Sequence, residues 1–486
     1  MKVTKASALV FLMLTLAYAY FYQDPAYNGN TRLALTMAIV KEGQLNIDSI
    51  ISKPGYTTGD LAKYDGKFYS DKAIGSSVLG ALVYYPIYRL LGHYRIFFST
   101  PDEKHLLTFL VMGLSSAIAG TLIFILCEYL SKSRFRAFIV TLAIALGTMS
   151  YPFSVVYLGH QLAASFLFGA FFLIFLLKTQ SDSAGVKIYH IFLIGLVMGL
   201  ALLTDLTTTI VVLPLVIYYG YVLWTRKLHK GVMAWIIPAL GGLIPILVMV
   251  AYNLQVYHAP FVSGYQYEYD PFYKANMANG IMGIGLPRLD VLFYETFHPA
   301  QGIFWQSPVL IMALVGGFIM LRTKQFKVEL AIAAFACGAY LLMNSGYFLW
   351  WGGDSFTPRH IIPMLPFLCL PLVFVPRKLF PVVIVLTFIS VVQMGIVGAS
   401  KVLIQDDFIA TLSSSGFFAY SAIYNFCLQQ LIDGNFAWNI GQAVFGLKGW
   451  VSLLPLALII SGATLWMAIF PVQLDRHPQI PGENNV

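Results

Sequence analysis

Charge is scarce in this chain. Asp, Glu, Lys and Arg together make up 11% of its 486 residues, against 58% hydrophobic residues. A soluble domain carries about a quarter charged residues, so the shortage excludes an ordinary globular surface. Cysteine is nearly absent as well. Cys127, Cys337, Cys369 and Cys427 are scattered, three of them inside apolar runs, which leaves no disulfide framework and no metal-ligand spacing. The chain also lacks a Walker loop, a dinucleotide glycine fingerprint and a serine-hydrolase elbow in a suitable context. These absences argue against an ATP-driven pump.

What fills the chain instead is long apolar runs, with a mean hydropathy of +0.74. They fall near 6–22, 74–92, 105–130, 137–156, 161–178, 189–204, 206–224, 232–253, 303–321, 328–345, 360–376, 379–399 and 450–471. Many approach the roughly 20 residues that cross a bilayer. The expected fold is therefore an all-α polytopic membrane protein. The net charge of +8 does not point to nucleic acid, because the basic residues sit in short clusters between apolar runs. These clusters are Lys132/Arg134/Arg136, Lys178/Lys187, Arg226/Lys227/Lys230, Arg322/Lys324/Lys327 and Arg377/Lys378.

If all the runs spanned, every cluster would face outward, against the positive-inside rule. The run 74–92 carries Gly75, Ser76, Ser77, Pro86 and Arg89, and reads better as a helix lying on or dipping into the outer face. Removing it leaves about 12 transmembrane helices (11–13) and puts all five clusters in the cytoplasm. Ala17-Tyr-Ala19 resembles a signal-peptidase site, but the aromatic run Tyr18–Tyr22 favours an uncleaved first helix. The outer loops become 23–104, carrying juxtamembrane helices, then 157–160, 205, 254–302, 346–359 and 400–449. Asp60, Asp71, His160, Asp205, Asp270, Glu295, His298 and Asp354 all fall outside, with Lys72, Arg288 and Arg359 among them. A reaction in this protein is expected on the extracytoplasmic face of the plasma (inner) membrane.

Four stretches carry chemistry. In Tyr69-Ser-Asp-Lys72-Ala-Ile-Gly75, Lys72 suits a phosphate and Asp71 a sugar hydroxyl or a cation, against the plainer reading of a solvated anchor. His160 and Asp205 are single ionisable residues at outer helix ends, and such residues often only reach for water. Gly264-Tyr-Gln-Tyr-Glu-Tyr-Asp270 alternates rings with polar edges, as sugar recognition requires, though an interfacial aromatic belt does the same. Trp350-Trp-Gly-Gly-Asp-Ser-Phe-Thr-Pro-Arg-His360 offers Arg359 for bidentate phosphate contact, or for a pair with Asp354.

Together the long first outer loop, the run at 69–75, Gly302-Ile-Phe-Trp-Gln-Ser-Pro308 and Trp350–His360 resemble the bacterial GT-C glycosyltransferases. That superfamily includes relatives of the protein O-mannosyltransferases and lipid A aminoarabinose transferases. The resemblance covers about residues 1–400. It implies transfer of a hexosyl or pentosyl group from a polyprenyl-phosphate-linked sugar donor to a lipid, glycan or protein acceptor, by a single inverting displacement. Lys72 and Arg32 are then similar to family residues on the donor phosphate, with Arg359 a third cation. A first-loop carboxylate is the implied base: Asp60 first, Asp71 and Asp24 as alternates. His160, Tyr265, Trp351 and His360 are expected on substrate.

Two positions depart from the pattern. Asn28-Gly-Asn30 stands where the family often has an acidic pair, and His160 stands where many relatives have an acid. Metal dependence varies across the superfamily; no adjacent carboxylate pair demands it here, so no cofactor is required and a divalent cation stays open. Residues 401–486 read as an outer amphipathic segment, the last transmembrane helix and a short cytoplasmic tail. Other readings are a lipid-linked glycan ligase or polymerase, a transporter or flippase of lipid-linked sugars, and a non-catalytic partner. A transporter predicts ionisable groups at mid-membrane and an internal repeat, whereas here the charges sit at the outer rim with no clear repeat.

Overall fold

The computed structural model describes residues 4–96, 98–180, 187–322, 326–405 and 421–470. Asp406 and Asp407 of the expected amphipathic segment, Lys324 and the tail after Phe470 lie outside these residues. The chain begins with α1 (Lys5–Ala19), set by a capping box in which the Thr4 and Ser7 side chains bond each other's backbone N–H. The first loop holds α2 (Ala26–Met37), a hairpin of β1 (Ala62–Tyr64) and β2 (Lys67–Tyr69), and α3 (Gly75–His93). Then follow α4 (Thr100–Ser131), α5 (Arg134–Ala145), α6 (Gly159–Thr179), α7 (Ile188–Thr204), α8 (Leu206–Thr225) and α9 (Met233–Tyr257). After the second long loop come α10 (Pro308–Arg322), α11 (Lys327–Ser345), α12 (Arg359–Val373), α13 (Arg377–Ala399) and α14 (Gly449–Ile469).

Among the described residues, 7 helices are long and apolar enough to cross a bilayer: α4, α6, α8, α9, α11, α13 and α14. Shorter apolar helices are α1, α7, α10 and α12. The chain is a polytopic helical membrane protein. α3 belongs to neither set. It buries Ser76, Ser77, Gly80 and Tyr84 on one face and exposes Leu82, Tyr85 and Leu90 on the other.

Three details differ from the sequence expectation, each for a local reason. The run 137–156 is not one helix: α5 stops at Ala145 and a short turn resumes at Ser150–Ser154. A Cβ on Gly147 would sit 2.8 Å from the Ala143 carbonyl, and the Thr148 hydroxyl bonds Ile144 O at 2.6 Å. Second, α12 begins as a ten-residue 3-10 stretch, because Pro363 and Pro366 remove the donors an α-helix needs. Third, the first loop contains a β-hairpin. Its turn residues Asp65 and Gly66 both take positive φ (47° and 75°), the Asp-Gly preference of tight hairpins.

The basic clusters gather at one end of the bundle. Arg136 donates to Val373 O and Val375 O (3.1 and 2.6 Å), next to Arg377. Arg226 donates to Leu177 O (2.7 Å), and Lys178 Nζ meets Glu329 at 2.6 Å, next to Lys327. A chain of rings, Tyr129, Phe175, Phe326 and Phe374, joins these ends at centroid separations of 6.0, 5.9 and 6.1 Å.

At the opposite end the long loops meet. The tightest helix pair beneath them is α7 with α9. A Cβ on Gly195 would lie 1.7 Å from Pro238 O, and one on Gly241 would lie 2.3 Å from Phe192 O. Small residues let the two backbones touch, the packing that lipid-embedded helices favour.

Candidate active site

Where the loops meet lies a cavity of about 300 Å³. Its polar lining includes Arg32, Lys72, His160, Asp205, Tyr265 and His360; its apolar lining includes Leu202 and Leu203 of α7, Ile210 of α8 and Met249 of α9. The cavity thus combines cations with apolar side chains of the kind that surround a lipid chain.

Arg32 comes from α2 and is only 4% exposed. Its Nε donates to Asn28 Oδ1 (3.2 Å), while Nη1 donates to Ala73 O (3.0 Å) and Ser76 Oγ (3.2 Å). These bonds tie α2 to the start of α3 and hold the guanidinium at the cavity wall. Lys72 sits between carboxylates. Its Nζ is 2.9 Å from Asp60 Oδ2, pairs with Asp71, and lies 5.1 Å from the Tyr265 ring centroid. Burial opposes the charge on Lys72, yet Asp60 and Asp71 outweigh it and hold its pKa well above the ordinary lysine value.

A third carboxyl joins them that the sequence reading did not select. Glu268, in the second long loop, forms a bridge to Ala62, and Tyr269 N donates to Leu61 O at 2.8 Å. The loop thereby extends the hairpin and carries Glu268 to Asp71. Gly264 permits the approach: a Cβ there would lie 2.7 Å from Asp71 O. Burial first, then Asp71, raises Glu268 to about 8, and burial likewise raises Asp71. Glu268 Oε1 and Asp71 Oδ1 are both buried without a donor. One proton shared between the two carboxyls satisfies both.

That sharing has a measurable consequence. The folded state holds a proton on Glu268 that the unfolded chain releases near the ordinary glutamate pKa. Stability therefore declines as pH rises from that value toward 8, by at most about 1.4 kcal/mol per pH unit. In Glu268→Gln, the fall of melting temperature in detergent between about pH 5 and 8 should flatten. An unchanged slope would refute the shared proton.

His160, in the first turn of α6, and Asp205, which joins α7 to α8, line the same cavity. His160 Nδ1 lies 2.9 Å from Asp205 Oδ2, while Asp205 Oδ1 accepts from Thr207 N (3.0 Å) and the Thr207 hydroxyl (2.8 Å). Burial works against ionisation of Asp205, but pairing with His160 and the Thr207 donors overcomes it and lowers its pKa. The His360 ring stands edge-on to His160 at 4.8 Å and to Tyr347 at 5.0 Å.

The remaining expected residues lie off the cavity wall. Asp60 and Asp71 stand behind Lys72. Asp24 does not join them: its side chain is 69% exposed, accepts from Ala26 N (3.0 Å) and lies 3.8 Å from Lys104. Arg359 is buried, donates to Asp354 O (3.3 Å) and feels the charge of Asp60. Trp351 packs against the main core, edge-on to Trp350 at 5.9 Å, so Tyr347 takes the place beside the cavity expected for it. Among the described residues, no group of three or more His, Cys, Asp or Glu is arranged to hold a metal ion. The space between Asp60 and Asp71 is taken by the Lys72 ammonium.

No protein-family model and no curated protein matches the sequence. Among solved structures there is a likeness. The chain is similar to ArnT. The match is to the crystal structure of ArnT from Cupriavidus metallidurans bound to undecaprenyl phosphate, at 12% identity and a TM-score of 0.49. It covers 96% of this chain and 75% of that one. The apo state of the same protein matches at 13% identity and a TM-score of 0.47, over 95% and 75% of the two chains.

Proposed function

We propose that this protein is a membrane glycosyltransferase that takes a sugar from a polyprenyl-phosphate carrier and passes it to a lipid, glycan or protein acceptor. The observation that carries the reading is the polarity of the cavity. Two cations, Arg32 and Lys72, line it together with leucine, isoleucine and methionine side chains from α7, α8 and α9. A lipid phosphate needs both: cations for the head and a continuous apolar surface for the tail.

A polyprenyl-phosphate sugar brings its own leaving group, because a phosphate diester becomes a monoester on transfer. The chain must then stabilise growing phosphate charge, supply a base and align two substrates. Arg32 and Lys72 take the first task. Their positions are fixed before substrate arrives, by Asn28 and Ser76 on one side and Asp60 and Asp71 on the other. Displacement is proposed to invert the anomeric centre. The reaction face is proposed to be extracytoplasmic in the plasma membrane, since the cavity lies opposite the basic clusters. Residues 1–400 form the proposed catalytic module, and 401–486 add the last helix.

The test uses purified protein in detergent and a panel of polyprenyl-phosphate monosaccharides, with native mass spectrometry as readout. One carrier should be retained by the wild type and released at least about tenfold more readily by Arg32→Gln, which removes a charge-assisted contact to phosphate. Equal retention by both would remove Arg32 from the phosphate site. Failure of the wild type to hold any carrier would overturn the reading.

A further inference from the structure

We propose that His160, held by Asp205, is the base that takes the proton from the acceptor hydroxyl. This rests on the glycosyltransferase reading above. The first-loop carboxylates are poorly placed for the task. Asp60 and Asp71 are engaged with Lys72, Asp71 also faces Glu268, and none of the three lines the cavity. A carboxylate that neutralises the phosphate-binding lysine would have to abandon it in order to accept a proton.

His160 has the opposite setting. It lines the cavity together with Arg32 and Lys72, so it opens on the same space as the groups that would hold the leaving phosphate. Asp205 is fixed by two Thr207 donors on one oxygen and meets His160 Nδ1 with the other. An ionised carboxylate at Nδ1 keeps the proton on that nitrogen and leaves the lone pair on Nε2. His360 stands beside it, and its buried Nε2 has no partner, so a second imidazole nitrogen is available to an acceptor hydroxyl. These groups come from α6, the α7–α8 junction and α12, three separate helix ends converging on one cavity.

The step balances as a single displacement. The acceptor O–H proton moves to His160 Nε2 while the acceptor oxygen bonds the anomeric carbon. The bond from that carbon to the phosphate oxygen breaks, and its electron pair stays on the phosphate. The products are glycosylated acceptor, polyprenyl phosphate and an imidazolium, which then loses its proton to water. Asp205 is a positioning residue in this scheme, acting through the tautomer of His160.

The experiment separates chemistry from binding. Transfer is followed from a panel of radiolabelled polyprenyl-phosphate monosaccharides to membranes of the source cells, and retention of polyprenyl phosphate is measured by native mass spectrometry. His160→Gln should lower kcat by about 10²–10⁴-fold, the usual contribution of a general base. Retention of polyprenyl phosphate should change by no more than about threefold. Asp205→Asn should show the same split, because an amide no longer dictates the tautomer. A purely structural tie would instead lower melting temperature, retention and kcat together, and that result overturns the proposal. So does transfer by His160→Gln within about threefold of wild type, while retained polyprenyl phosphate leaves the donor-site reading standing. If His160→Gln does not fold, Asp205→Asn decides alone: an isolated loss of kcat supports the dyad and full activity overturns it. A wild type that retains no polyprenyl phosphate removes the reading and the dyad with it.

Discussion

Lys72→Met should release a polyprenyl-phosphate sugar from the purified protein and lower transfer by about a hundred- to a thousandfold, as expected when a preorganised charge on a leaving group is lost. The same substitution should destabilise the fold, because Lys72 is the cation between Asp60 and Asp71. Breaking a buried ion pair from one side costs about 3–5 kcal/mol when the remaining charge has no escape. Here Asp71 has one, since it takes up a proton. Burial already raises Asp71, and removing Lys72 raises it further. The destabilisation should therefore be small near pH 5 and large near pH 8, on melting curves taken in detergent. Adding Asp60→Asn to Lys72→Met removes a carboxylate that has lost its partner. The double variant should regain melting temperature at pH 8 without regaining donor retention. Restored retention would mean that Lys72 only holds the loop together, and the phosphate site would have to be sought elsewhere.

Much of the architecture was readable because a bilayer imposes coarse rules. An apolar run of helix length announces itself, and each of the thirteen runs has a helical counterpart here, 137–156 only in part. Charge bookkeeping at helix ends singled out 74–92, and the contacts of Arg136, Lys178 and Arg226 gather the clusters at one end. Local irregularities were readable too, had they been weighed. Gly147 and Pro152 mark the break after α5, Pro363 and Pro366 mark the 3-10 start of α12, and Asp65-Gly66 marks the hairpin.

The site was legible only in part. Lys72 stood out through the polar run at 69–75, and Arg32 only through the family resemblance. Glu268 did not, because its role depends on a loop laid along Leu61 and Ala62, and no local pattern encodes that pairing. His160, Asp205 and His360 were each ambiguous as isolated residues at helix ends. Their meaning appears when α6, α7 and α12 bring the three side chains within contact.

The packing of α7 on α9 yields the second large effect. Gly195→Ala should cost about 3 kcal/mol or more in detergent, at the upper end for an added methyl, because the obstacle is backbone. The new Cβ would lie 1.7 Å from Pro238 O and 2.5 Å from its carbonyl carbon, and neither atom can turn aside as a side chain would. The helices must separate. Gly220→Ala is the control, since its Cβ would meet only the Trp235 ring at 3.5 Å, an ordinary contact, and its melting temperature should not move. Separation also reaches the cavity, because Leu202 and Leu203 of α7 and Met249 and Tyr252 of α9 line it. Arg32 and Lys72 belong to α2 and the first loop and not to α7 or α9. Gly195→Ala should thus weaken retention of a polyprenyl phosphate more than retention of a short-chain alkyl phosphate, which uses the cations and little of the apolar wall. Equal weakening of both would mean that α7 and α9 position the head of the lipid and not its tail.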